Sequence, residues 1–181
     1  MAQRTWTVLA SLAAASTLLA ASGVEREHPL LAGPNAEVVR DREARAAVRP
    51  GDLDAERALA QAYLDVEQPG LAVALLGGAP SVEGDPASLR IRHLYSRALI
   101  EDGRGQEALS VEEGVVAACA ALLEDERTAP GCDAPLLASA VRRVDILREL
   151  AALGVTDVRA HPEASLIAYQ NATREVRVTV Q

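Results

Sequence analysis

The sequence predicts an all-α fold: antiparallel helical hairpins stacked as a short solenoid, with about seven helices after an N-terminal apolar segment. Three observations carry that expectation. Apolar residues recur at three- and four-residue steps along most of the chain, and nothing alternates with period two over strand length before the tail 176–180. Apolar residues make up 49% of the chain, yet many are Ala, aromatics are only 2% and Phe is absent. Alanine is the best helix former, whereas a β-sandwich would draw on Val, Ile, Thr and aromatics. Finally, two stretches between Leu53 and Cys119 follow one template, with Ala72 and Ala108 in equivalent places 36 positions apart. A hairpin that cannot bury its own apolar face must stack on a neighbour, which is how solenoids arise.

Residues 1–23 read as a signal peptide. Arg4 is a short positive start, Trp6 to Ala20 an apolar stretch, and Ala21, Ser22 and Gly23 are small residues suited to cleavage before Val24. The alternative is an uncleaved anchor over residues 6–22, although its Ala- and Ser-rich run is short against the roughly 20 residues of a membrane span. Residues 24–34, with Pro29, Gly33 and Pro34, read as a flexible lead to a single helical-repeat domain over 35–181. Asn35 can cap a first helix through about Val48, and Pro50 with Gly51 ends it. The hairpin 53–84 follows, with Asp54 as the expected cap and a return helix from Pro69. The hairpin 87–124 starts cleanly, because Asp85 can accept from free amides and Pro86 suits a first helical position. Gly103 interrupts it, and Gly105 to about Glu124 makes the long return. The last hairpin, 133–178, starts at Asp133, repeats Leu137, Val141, Val144, Leu147 and Leu150, and turns at Gly154 towards Pro162.

The residues Leu59, Ala60, Tyr63, Ala72 and Ala79, and again Ala98, Leu99, Gly103 and Ala108, resemble the tetratricopeptide repeat. The run from Asp102 to Leu109 looks most like the inter-helix turn of that family. The resemblance spans residues 53–119, about two degenerate repeats. Glu67 stands where the family places Gly, Leu99 where it places Tyr, and the Trp near the repeat start is missing. The resemblance implies a right-handed solenoid with a concave face built from the first helix of each hairpin, binding a peptide or partner protein. Tyr63 and Tyr95 are the aromatics that could line such a groove, against their simpler role as packing between helices.

Composition narrows the partners. The net charge is −8, or −9 without residues 1–23, whose only charge is Arg4, and all 18 basic side chains are Arg. An acidic chain without a basic stripe suits neither nucleic acid nor an anionic membrane surface, so neither partner is expected. The all-Arg usage reads as base composition of the gene rather than as function.

Chemistry is sparse along the chain. Cys119 and Cys132 are the only cysteines, and in an exported protein they are expected to pair as a disulfide. No spacing supports a metal, and no cofactor is expected. His28, His93 and His161 have no nucleophile or carboxylate at useful spacing, and Glu112 and Glu113 read as a solvated helix face. No Gly-x-Ser-x-Gly, phosphate loop or dinucleotide fingerprint is present. The expectation is therefore an exported, periplasmic or secreted, non-enzymatic interaction module. The alternatives are an accessory subunit of an enzyme or envelope complex, and a protein anchored by its N-terminal helix. A deep pocket gathering His93 and carboxylates would favour the accessory-enzyme reading.

Overall fold

The computed structural model describes residues 34–78, 86–124 and 132–178. The expected signal peptide, most of the lead and the cap Asp85 lie outside the described residues. The chain divides into two units, Met1–Glu37, of which residues 34–37 are described, and Val38–Gln181. Among the described residues there are seven helices and no strand: α1 (Pro34–Val48), α2 (Leu53–Asp65), α3 (Pro69–Gly77), α4 (Pro86–Glu101), α5 (Gly105–Glu124), α6 (Ala134–Ala152) and α7 (Pro162–Val178). Helix α7 runs to Val178, the expected end of the last hairpin, and takes in the start of the β-branched tail.

Each helix from α2 to α7 packs on the next, and α2 also packs on α4. Connections of a few residues leave no room for anything but antiparallel neighbours in α2/α3 and α4/α5. One core threads these hairpins: Ala60 and Leu64 of α2, Ala72 and Leu76 of α3, Ile91, Ala98 and Leu99 of α4, Ala108 of α5, Leu147 and Leu150 of α6, and Ala168 of α7. Where two helices meet, the contact residue is often Ala, and Ala60, Ala72, Ala98, Ala108 and Ala168 are all 0% exposed. Small side chains let helix axes approach closely, which explains how an alanine-rich chain with few aromatics fills its interior.

The helix ends follow local chemistry. Asp52, not the expected Asp54, is the N-cap of α2, accepting from the amides of Asp54 at 3.0 Å and Ala55 at 3.1 Å. Asp54 already lies within the helix, where its amide is one of the first-turn donors that the Asp52 side chain satisfies. Asp133 caps α6 as expected, accepting from Leu136 N at 2.9 Å. At their other ends the three leading helices finish alike. Gln68 N donates to Tyr63 O (2.8 Å), Arg104 N to Leu99 O (2.8 Å) and Val155 N to Leu150 O (2.9 Å), each closing the last turn around a residue of positive φ. Those residues are Glu67 (φ 58), Gly103 (φ 84) and Gly154 (φ 75). A side chain in that left-handed conformation costs about 1–2 kcal/mol, which glycine avoids. Glu67→Gly is therefore expected to stabilise the protein by about 1 kcal/mol in chemical denaturation, and a loss of stability would show that Glu67 holds the turn by other means.

A second, smaller apolar cluster joins Leu89 with the Cys119–Cys132 disulfide, whose Cα atoms are 5.6 Å apart. The bridge closes a loop with a sequence separation of 13 and ties the start of α6 to the middle of α5. Loop closure of that length contributes about 2–3 kcal/mol. Cys132→Ser is expected to lower the stability by about that amount and the melting temperature with it, and an equal melting temperature with and without reductant would contradict it.

Candidate functional site

The hairpins leave a groove of about 600 Å3 lined by Arg57, Ala58 and Gln61 of α2, Arg90, His93, Leu94 and Arg97 of α4, and Asp133, Pro135, Leu136, Ser139 and Arg143 at the start of and along α6. Every lining residue comes from the leading helix of a hairpin or its cap. The spacings explain why. Arg57 and Gln61 are one turn apart, as are Ser139 and Arg143, while Arg90, His93 and Arg97 follow three- and four-residue steps, so each helix turns one polar stripe to the groove. The lining holds four arginines and one carboxylate, in a chain whose net charge is −8. A cleft of similar size beside α1 and α2, around Arg42, Arg45 and Arg49, brings together no buried ionisable group.

Beneath the groove lies the Glu112 carboxylate, buried and not on the solvated helix face expected for it. The Glu112 side chain is 0% exposed, whereas its neighbour Glu113 is exposed and meets Arg148 at 2.8 Å. The difference is one of register: Glu112 falls on the same face of α5 as Ala108, Val115 and Cys119, all fully buried. A buried carboxylate is tolerated only when its oxygens are matched by donors. Glu112 Oε1 is hydrogen-bonded to His93 Nδ1, and Arg143 Nη1 donates to Oε2 at 3.3 Å. Arg143 Nη1 also donates to the His93 carbonyl at 2.7 Å. Burial pulls the Arg143 guanidinium below its ordinary pKa, and Glu112 acts in the opposite direction. On the solvent side, Ser139 Oγ lies 3.3 Å from His93 Nε2. His93 thus has both a carboxylate and a hydroxyl partner, 19 and 46 positions away, contrary to the expectation from local spacing.

The other arginines of the groove are held from one side. Arg90 Nη2 meets Asp133 Oδ2 at 2.7 Å, joining α4 to the cap of α6. Arg97 Nε meets Glu101 at 2.7 Å, and its Nη1 donates to Gln61 at 3.4 Å. Arg57 meets Asp54 at 3.1 Å on the exposed surface. These contacts set the direction of long side chains that would otherwise be free.

Tyr63 and Tyr95 are not among the lining residues. Both are partly buried against the main core. The Tyr63 hydroxyl donates to Glu43 of α1 at 2.9 Å, and its pKa is pushed up to about 12, first by burial and then by that carboxylate. The Tyr95 ring lies over Gly77 at the end of α3, where an added Cβ would come within 3.4 Å of its hydroxyl. Cys119 and Cys132 are bridged, with no part in the groove beyond fixing the residue before Asp133. Among the described residues no group of three or more His, Cys, Asp or Glu side chains could hold a metal, and no helix is long and apolar enough to cross a membrane. Compared with protein-family models, with curated proteins and with solved structures, the chain matches none of them.

Proposed function

We propose that this chain is an exported, tetratricopeptide-like interaction module whose groove holds an extended acidic segment of a partner protein. The observation that supports this reading most is the lining: three successive leading helices supply four arginines to one groove of an otherwise acidic chain. Guanidinium groups present fixed forks of donors that match carboxylates, and charge-assisted bonds of this kind are the stronger ones. Leu94, Pro135 and Leu136 add apolar contact between the charges. The disulfide supports export, since such bonds persist in oxidising compartments.

Fluorescence anisotropy with labelled octapeptides tests it. An Asp/Glu-rich peptide is expected to bind, and raising the salt should weaken it, while a Lys-rich peptide of equal length does not bind. Arg57→Ala combined with Arg97→Ala should weaken binding by about tenfold or more, because each lost charged bond is worth about 1.5–3 kcal/mol before solvent screening. Equal binding of both peptides, or no effect of the two substitutions, would refute the reading.

A further inference from the structure

Along one line from the interior to the groove stand a fully buried carboxylate, a mostly buried imidazole and an exposed hydroxyl: Glu112, His93 and Ser139. Their side chains come from three different helices, α5, α4 and α6, so no short sequence motif announces them. The proton positions follow from the partners. Arg143 Nη1 also stands 3.2 Å from His93 Nδ1, but its two hydrogens go to Glu112 Oε2 and the His93 carbonyl. Ionised Glu112 offers only acceptors, so Nδ1 carries the hydrogen and donates it to Oε1. Nε2 is then a bare lone pair, and the Ser139 hydroxyl 3.3 Å away donates to it. Arg143, bonded to the His93 carbonyl at 2.7 Å, fixes the backbone that carries the ring.

We propose that Ser139 is a nucleophile activated by His93, and that the groove cleaves esters bearing a remote carboxylate. A serine hydroxyl backed by an imidazole whose far nitrogen is bonded to a buried carboxylate is the arrangement that makes serine reactive, whatever fold carries it. Ser139 Oγ adds to the ester carbonyl carbon as its proton passes to Nε2. The bond to the leaving alcohol then breaks, and the alcohol takes the proton from Nε2. Water then adds to the acyl carbon as its proton passes to Nε2, the bond from that carbon to Ser139 Oγ breaks, and Oγ takes the proton back from Nε2 as the carboxylic acid leaves. Arg97 and Arg143 line the same groove and are the cations available to the carbonyl oxygen as it becomes negative, Arg143 being also the partner of Glu112. Arg57 and Arg90 belong to the same lining but not to the Glu112–His93–Ser139 line, which is why the substrate should carry a second carboxylate away from the ester. This activity shares the groove with the peptide reading but does not depend on it.

Two measurements on the full chain test the proposal. A fluorophosphonate forms a phosphorus–oxygen bond with an activated serine, with loss of fluoride and transfer of the serine proton to the imidazole. Mass spectrometry is expected to find the adduct on Ser139, none in Ser139→Ala, and labelling at least about 100-fold slower in His93→Gln, the usual size of a general-base contribution. The mono-4-nitrophenyl ester of suberic acid should be hydrolysed faster than 4-nitrophenyl octanoate, which has the same length and no second carboxylate. Ser139→Ala should abolish that turnover, and the fluorophosphonate adduct is read with no peptide present, so its absence fails this proposal alone while absence of acidic-peptide binding fails the binding reading alone. No adduct on Ser139, equal labelling of the His93→Gln protein, turnover unchanged by Ser139→Ala, or preference for the octanoate would overturn it.

Discussion

Arg143→Met is expected to destabilise the fold by about 3–5 kcal/mol, the usual cost of leaving a buried charge without its counter-ion. The side chain removed is only 20% exposed, and its partner Glu112 is 0% exposed, so solvent cannot take over the missing bonds. The expectation sharpens in the double variant. Replacing Glu112 by Leu as well removes the stranded carboxylate and fills its space with apolar atoms. Arg143→Met with Glu112→Leu should therefore be more stable than Arg143→Met alone, a non-additivity that arises only if the two groups share one buried network. Equilibrium urea denaturation of the parent and the variants decides it. A loss below about 1 kcal/mol for Arg143→Met is what an exposed ion pair would give, and would contradict the buried network.

Ala108→Leu should cost about 1–3 kcal/mol or more, although leucine is itself a good helix former. Ala108 is 0% exposed, and α4 approaches it closely enough for the Ser96 hydroxyl to donate to its carbonyl at 3.3 Å. A larger side chain can enter only by separating α4 from α5, because interiors of this density have no spare volume. Ala117→Leu is the proper control, since Ala117 is exposed on the same helix. Ala118, which the apolar stripe leaves out, is half-buried against the disulfide cluster and would confound the comparison. Denaturation curves in which Ala108→Leu and Ala117→Leu coincide would remove the close approach from the account.

The fold was legible because it rests on local signals. Pro69, Pro86 and Pro162 start helices, Gly103 and Gly154 end them, and the steps between apolar residues mark the buried faces. Even the equivalence of Ala72 and Ala108 followed from spacing, and both are fully buried. The cap of α2 was misplaced by two residues because Asp52 and Asp54 are chemically alike and only backbone geometry separates them. The polar network was not legible, because hydrogen bonds between helices have no sequence period. One clue was nevertheless present: Glu112 interrupts the stripe of Ala108, Val115 and Cys119 at a position that must face inward. A carboxylate in such a place requires a cation and a donor from elsewhere in the chain, which Arg143 and His93 provide. The groove arginines were hidden for a different reason. Arginine is used throughout in place of lysine, so its presence at Arg57, Arg90, Arg97 and Arg143 carried no weight until three helices placed them together.

The central claim is that the leading helices α2, α4 and α6 form one binding face. A photo-crosslinker carried on an Asp/Glu-rich octapeptide, followed by mass mapping of the adducts on the full chain, tests it most directly. The account predicts adducts confined to the lining, at residues such as Ala58, Leu94 and Leu136, and lost when unlabelled acidic peptide competes. Adducts that fall instead on the return helices α3, α5 or α7, and that persist under competition, would contradict it.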